Sequence, residues 1–383
     1  MYSNISINII SFNVPYPPNY GGTIDVFYKI KTLYELGVKI HLHCFLYDRP
    51  QALELENYCV SVNYYKRKTG FKSNLSLTPY IVKSRQSEEL VNNLLQNNYP
   101  IMFEGLHSCS LLSDIRIRGR IKLYRESNIE HEYYSHLAKS TKKISDKLFY
   151  YIESFKLRLF QKKLKYADCL LVVSKKDEEY LKKRFRPNLV LYLPSFHGNQ
   201  NVVSKKGKGN YILYHGNLSV EENIVAANYL INNIFSKISH QVIIAGLKPD
   251  KSIANNIAKY DNIKLIANPD DKEMRELVEN AHINILYTHQ ATGLKLKLLN
   301  VLYQGRFVLV NSKMCVGTDL SDLCVISDKA DEMIANINIL FENDFTEKDI
   351  AKRSTKLDEM FNDERNGLKI IERLQPYSPP SNK

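Results

Sequence analysis

The sequence predicts an α/β protein built from two Rossmann-like domains facing each other across an inter-domain cleft, and three observations lead there. Short apolar runs alternate with amphipathic segments from the N-terminus onward, the order that builds parallel sheets. After residue 196 the alternation gives way to a polar, glycine-containing stretch without periodicity, and it resumes near residue 210. The chain also has 383 residues, more than one ordinary core accommodates. The expected plan is a first domain over 1–196, a linker over 197–209, a second domain over 210–360 and further helix beyond it. A proline-containing tail, 377–383, is expected to be disordered.

Each element has its own signal. "ISINIISF" (5–12) is a β-run, "NVPYPPNYGGTID" a loop, "VFYKIKTLYELG" a helix and "VKIHLHCFL" a second strand, which together make a βαβ opening. "PIMFEG" (100–105), "RIKLYRES" (120–127), "DCLLVVS" (168–174) and "NLVLYLPSF" (188–196) continue the strands. In the second half "YILYHGN", "HQVIIAGLKP", "NIKLIANP", "HINILYT", "FVLVN" and "CVIS" are strands, with helical patterns between most of them. In sheets of this kind ligands sit beyond the C-terminal strand ends, so the cleft is where a site is expected.

Composition narrows the classes. Hydrophobic residues make up 44% and charged residues 25%, as in a globular protein. The sequence has no run of eighteen apolar residues, and the N-terminus has no basic region ahead of an apolar one, so a cytoplasmic protein is expected. Cys44, Cys59, Cys109, Cys169, Cys315 and Cys324 are scattered without CxxC spacing, so they read as buried thiols and a structural zinc site is not expected. The net charge is +12, and between Lys139 and Arg186 fifteen Lys or Arg stand against six Asp or Glu. The helical pattern there puts Leu148, Ile152, Phe155, Leu159 and Leu164 on one stripe with the lysines opposite. A basic amphipathic surface suits anionic lipid headgroups or a phosphorylated partner; a well-solvated helix face fits equally. No nucleic-acid recognition motif accompanies the charge, so a nucleic-acid partner is not expected.

Four places could carry chemistry. Gly21 and Gly22 lie in the loop after the first strand and before a helix, where the backbone can approach a ligand and the following N–H groups can meet phosphate; a tight turn among prolines is the plain alternative. "RESNIEHEYY" places Arg125, Glu130 and His131 at a strand end, with Asn128 available as an ordinary helix cap. In "HGNLSVEEN", Gly216 allows close approach to a ligand, while Ser219 and Glu222 have the spacing of a capping box. In "TGLKLKLLNVLYQGRFVLVN", Lys295 and Lys297 fall at the start of a helix, an end that disfavours cations unless an anion sits there. Lys297 and Asn300 share a helix face, and Leu296, Leu299, Leu302 and Tyr303 form the packed side. "DKADE" (328–332) reads as a helix cap rather than a metal motif.

Taken in order, "VPYPPNYGG", "NIEHEYY", "HGNLSVEEN" and "GLKLKLLNVLYQGRFVLVN" resemble the glycosyltransferases of the GT-B fold. The similarity is to the retaining group 1 or family 4 type, in its bacterial surface-glycan branch. The resemblance implies an acceptor-binding first domain, a second domain that binds a nucleotide-diphosphate sugar, and a terminal helix over 361–376 crossing back to the first domain. It implies that Gly21 and Gly22 lie near donor phosphates and acceptor, that His131 lies near the reacting sugar, and that Lys295 and Lys297 neutralise the leaving diphosphate. Gly216, Asn217, Thr292, Gly293 and Asn300 complete the implied donor site, and Arg125 and Glu130 stand with His131 on the acceptor side. Thr292 and Asn300 replace the two glutamates of the family's paired motif, and Asn217 and Glu222 occupy positions where an arginine and a lysine are usual.

The expected reaction is transfer of a hexosyl-type sugar from its nucleotide diphosphate to a hydroxyl of a glycan or lipid-linked acceptor, with retention of configuration. No cofactor or metal is expected, the sugar nucleotide being a co-substrate, and a peripheral contact with an anionic membrane is the partner the basic helix suggests. The rivals are another GT-B chemistry, such as an epimerase or inverting transferase, and a silent sugar-nucleotide-binding partner of a glycan-assembly complex.

Overall fold

The computed structural model describes residues 4–70, 76–141, 143–289 and 296–375. The chain divides into two compact units, Met1–Gly198 with Phe361–Lys383, and Asn199–Met360.

The first unit is built on seven strands: β1 (Ser6–Ser11), β2 (Lys39–Leu46), β3 (Ser61–Lys66), β4 (Ile101–Glu104), β5 (Lys122–Arg125), β6 (Cys169–Val172) and β7 (Val190–Tyr192). Their order is β3-β2-β1-β4-β5-β6-β7 and every pairing is parallel, with Ile9 opposite Leu42 on one side and Met102 on the other. Helices α1 (Gly21–Glu35), α2 (Tyr80–Lys83), α3 (Glu88–Leu94), α4 (Glu130–Ser140), α5 (Ile144–Phe160) and α6 (Lys175–Lys182) connect them. The central strands are apolar on both faces because two cores cover them, one around Ile10, Phe103 and Leu170 and the other around Ile9, Leu42 and Met102.

Strand β3 is absent from the sequence-based expectation. It is an edge strand whose residues, apart from Tyr65, are half-buried or exposed, so "SVNYYK" lacks the apolar run that marks its neighbours.

The second unit repeats the plan with β8 (Tyr211–Asn217), α7 (Glu221–Asn233), β9 (Gln241–Leu247), α8 (Lys251–Ile257), β10 (Ile263–Ala267), α9 (Asp271–Asn280), β11 (Ile283–Leu286), α10 (Leu296–Gln304), β12 (Phe307–Val310), α11 (Ser312–Cys315), β13 (Val325–Ile326), α12 (Ala330–Glu342) and α13 (Glu347–Phe361). The parallel order is β10-β9-β8-β11-β12-β13. In both sheets the order reverses beside the first strand, at β1/β4 and at β8/β11, which creates a switch point in each. The last helix, α14 (Asp363–Leu374), belongs to the first unit: Gly367 sits against Thr32 and Leu36 of the α1 region, and Ile370 and Ile371 join the core around Ile9.

Helix α1 carries the local features that hold the first switch point. It ends in a left-handed Gly37, whose N–H donates to Tyr34 while that of Val38 donates to Leu33, the paired bonds of a Schellman stop. From its buried face Lys29 reaches Glu104 at 2.8 Å and Asp25 at 3.1 Å, and Asp25 accepts from Arg125 at 2.9 and 3.0 Å. Arg125 also donates to the carbonyls of Leu193 and Pro194, and Asp25 accepts the Phe196 N–H. Burial opposes the charge on Asp25, but Arg125 and Lys29 outweigh it and hold the carboxyl well below the usual range. This network ties α1 to the C-terminal ends of β4 and β5.

Three local expectations are corrected. Ser219 does not cap α7: Val220 takes that position, the Ser219 hydroxyl donates to Asn217 instead, and Glu222 turns to the Thr288 hydroxyl. Ile129, rather than Asn128, precedes α4. Asp328 caps no helix of its own segment but accepts from the backbone and hydroxyl of Ser312. The stripe on α5 is also corrected. Of its residues only Leu164, beyond the end of α5, is buried; Leu148, Ile152, Phe155 and Leu159 are exposed, and Glu153, Leu157 and Phe160 face inward, because the core takes the opposite side of the helix.

Candidate functional site

Both switch points gather polar groups. In the second unit, β8 delivers His215, Gly216 and Asn217 at its C-terminal end, and the loop leads into α7. Gly216 pairs in register with Gly246 of β9, and a Cβ at 246 would lie 1.8 Å from the Gly216 carbonyl oxygen, so the strands meet this closely only because residue 246 is glycine. A Cβ at Gly216 would lie 3.3 Å from the Asn223 amide. Asn223 donates to the Asn217 carbonyl at 2.9 Å, and the Asn217 side chain accepts from the Ser219 backbone at 3.1 Å, so the loop holds itself in place.

Lys297 enters this arrangement from the first turn of α10. Its Nζ donates to Asn223 Oδ1 at 3.4 Å and lies 5.8 Å from the Tyr214 ring centroid. Helix α10 is fixed by Leu296, Leu298, Leu299, Val301, Leu302 and Tyr303, all buried. His215 is pushed down to about 3, by burial first and then by the charge of Lys297, and its Nε2 is buried with no hydrogen-bond partner among the described residues. The second wall is the end of β11, where Thr288 bonds Glu222 and exchanges hydrogen bonds with Asn311 at 3.2 and 2.8 Å. Asn300, one turn beyond Lys297, accepts from Asn199 at 2.8 Å. Thr292, Gly293 and Lys295 lie outside the described residues.

In the first unit the cluster forms around Phe12, beyond the end of β1. Gly22, in the first turn of α1, packs on it closely enough that a Cβ would lie 2.8 Å from the ring tip, while Gly21 is exposed at the helix start. The His107 ring lies 5.4 Å from that of Phe12, in the turn that follows β4 through left-handed Gly105. Arg85 donates to the Phe12 carbonyl at 2.9 Å and the Ile81 carbonyl at 2.7 Å. Glu130, at the start of α4, is 4% exposed with its Oε1 3.8 Å from His107 Nδ1. Burial raises Glu130 to about 8, against the opposing pull of Arg85. Burial, reinforced by Arg85 and Arg67, pushes His107 well below its ordinary value, so the pair is a neutral acid beside a neutral imidazole near pH 7.

The sequence-predicted residues therefore separate. Gly22 and Glu130 meet at one switch point, and Gly216, Asn217 and Lys297 at the other. His131 is turned about 100° from Glu130 on α4. Its Nε2 lies 3.2 Å from the Tyr180 hydroxyl, away from the Phe12 cluster, and burial lowers its pKa. Arg125 is a core residue, 1% exposed and committed to Asp25. His107, Arg85, Asn223, His215 and Gly246 are missed by sequence reasoning; the only local signals are "GLH" directly after β4 and the glycine ending "VIIAG". Among the described residues no three His, Cys, Asp or Glu are grouped to hold a metal ion.

No family model matches the chain. It is 25% identical over 331 residues, 82% of its length and 84% of the relative's, to an uncharacterized 44.6 kDa protein in the cps region of Klebsiella pneumoniae. Among solved structures, Anabaena HepE in complex with UDP-glucose superposes with a TM-score of 0.66 at 12% identity, over 97% of this chain and 99% of that one. TarM gives 0.66 at 10% identity over 98% and 99%. The lipopolysaccharide outer core galactosyltransferase WaaB gives 0.62 at 11% identity over 96% and 99%. The chain has the GT-B fold. Both GT-B sheets are accounted for by this likeness, since the superpositions run through each unit from end to end.

Proposed function

We propose that the chain transfers a sugar from a nucleotide-diphosphate sugar to a hydroxyl of a glycan or lipid-linked acceptor, with retention at the anomeric carbon. The observation that carries this reading is Lys297, a cation in the first turn of a helix and against the Gly216–Asn223 end of β8. A helix N-terminus and a lysine at one strand end suit a diphosphate on which charge builds as the sugar leaves. Gly21, Gly22, Gly216, Asn217, Thr292, Gly293, Lys295, Lys297 and Asn300 are the proposed donor residues. HepE has been solved with UDP-glucose, and an S. aureus TarM mutant with UDP and α-GlcNAc-glycerol, which makes UDP-sugars the first donors to test.

On the acceptor side we give Glu130 and His107 the place the resemblance implies for His131. A protonated Glu130 offers a hydrogen bond to an acceptor or sugar oxygen at neutral pH, as a buried carboxylic acid does when its site keeps it neutral. With retention, an oxygen of the leaving diphosphate takes the acceptor's proton on the same face, so no side chain need act as nucleophile. No metal enters this scheme, and the cytoplasm is the proposed place of action.

The experiment is incubation with UDP-glucose, UDP-galactose, UDP-GlcNAc and GDP-mannose and candidate acceptors, reading free nucleotide and the anomeric configuration of product by NMR. The reading expects turnover with one donor and a loss of roughly 10²–10³ in rate for Lys297→Ala. Donor binding without consumption would instead favour a silent binding partner. That alternative draws on Thr292 and Asn300 standing where glutamates are usual and on the Asn300 oxygen being bonded to Asn199.

A further inference from the structure

Helix α5 presents an apolar face that nothing among the described residues of the first unit covers. Ile144 is 82% exposed, Leu148 60%, Tyr151 43%, Ile152 47%, Phe155 65% and Leu159 48%. At the helical repeat these six fall within an arc of about 100°, directly opposite buried Glu153, Leu157 and Phe160. A contiguous exposed apolar stripe of this kind marks a surface that meets something.

The charges around the stripe say what. Lys147 and Arg158 border one edge and Lys156 the other, and Lys139, Lys143, Lys162 and Lys165 are exposed nearby. Of the acids of α5, Glu153 is buried and pairs with half-buried Lys156 at 2.9 Å, and Asp146 pairs with Lys143 at 3.5 Å, so the positive charge of this surface rests on Lys147, Arg158, Lys139, Lys162 and Lys165. Beside the Arg158 edge, α4 and α5 enclose a crevice of about 350 Å³ whose lining includes His131, His136, Lys139 and Arg158 together with one carboxylate, Glu132. His131 Nδ1 is buried there with no hydrogen-bond partner among the described residues. With seventeen residues, α5 is about 25 Å long, and no helix among the described residues is long and apolar enough to cross a membrane. An apolar stripe with basic borders on a helix of that length belongs in the interfacial plane of a bilayer. A second copy of the chain is a poorer occupant, because a twofold contact through this face would set the basic borders of both copies against each other.

We propose that α5 docks the protein on a membrane carrying anionic lipid, with the six apolar side chains among the acyl chains and the α4–α5 crevice receiving headgroup phosphate. The proposal is independent of the transfer reaction: it fails or survives on binding alone.

The test is flotation of the full chain with phosphatidylcholine vesicles, with and without about 30 mol% phosphatidylglycerol, at about 0.1 M salt. The expected result is at least about tenfold stronger partitioning onto the anionic vesicles. Leu148→Ser with Phe155→Ser should reduce it about tenfold or more, and Lys147→Gln with Arg158→Gln should remove most of the preference for anionic lipid. All four side chains are exposed, so thermal midpoints should hold; if the apolar pair misfolds, the charge pair decides. Equal partitioning onto both vesicle types, or wild-type binding by both variants, overturns the proposal. So does a stable dimer by light scattering that the Leu148/Phe155 variant disperses, since a second copy then covers the face.

Discussion

Replacing Glu130 by Gln should make the protein more stable, and increasingly so as pH rises. An ordinary glutamate ionises near 4.5 whereas Glu130 does so at about 8, burial being the cause and the Arg85 charge only partly offsetting it. Each factor of ten in that equilibrium is worth about 1.36 kcal/mol. The unfolded chain therefore loses its proton well before the folded one does. Over this interval the native state binds more protons, so the stability contributed below pH 4.5 declines as pH climbs and is gone above about 8. Worked through, the penalty is under about 1 kcal/mol at pH 5, about 3 at pH 7 and about 4 at pH 8. Glutamine keeps the shape and cannot ionise, so it escapes that penalty. Urea unfolding of both proteins at about pH 5, 7 and 8 measures the difference directly, with the charges common to both cancelling. A difference that stays flat with pH, or a variant less stable than wild type at pH 8, would refute the reasoning. The same ionisation predicts that turnover, once a donor is found, falls as pH passes about 8.

Other predictions follow from single contacts. Arg125→Met leaves two buried carboxylates, Asp25 and Glu104, to share the single Lys29 cation and should cost about 3–5 kcal/mol in denaturant unfolding, a loss of fold rather than of acceptor recognition. Gly246→Ala drives a methyl into the Gly216 carbonyl and should destabilise by about 3 kcal/mol or more, read as a lowered thermal midpoint. Ser174 accepts the Asp177 N–H at the start of α6, whereas Ser219 bonds only within its own loop. Ser174→Ala should therefore cost about 1 kcal/mol and Ser219→Ala less than about 0.5.

Most of the architecture was legible because buried parallel strands must be apolar and must alternate with helices, and that pattern survives in the sequence without neighbours. β3 was not, since an edge strand half in water needs no such run. The α5 stripe shows the limit of periodicity. It locates an apolar face, but whether core or something else covers that face is decided by tertiary packing, and here Leu157 and Phe160 took the core side. At the second switch point Gly216 and Lys297 were legible, since a glycine between a strand and a helix admits close backbone approach and a lysine at a helix start conflicts with local preference. At the first, Glu130 was legible beside His131, but His107 and Arg85 come from segments far from it in the chain, and no spacing links them to it. The adjacent pair Glu130 and His131 could be assigned to opposite sides of α4 only once the helix was placed.

The most direct test of the central claim is thermal stabilisation by nucleotides and sugar nucleotides in UDP, GDP, ADP, CMP and dTDP forms, on wild type and Lys297→Ala. A ligand at about one hundred times its dissociation constant adds roughly 2.7 kcal/mol of stability. One base class should raise the wild-type midpoint and do so far less for Lys297→Ala. No shift with any of them, or a shift that Lys297→Ala leaves intact, would contradict it.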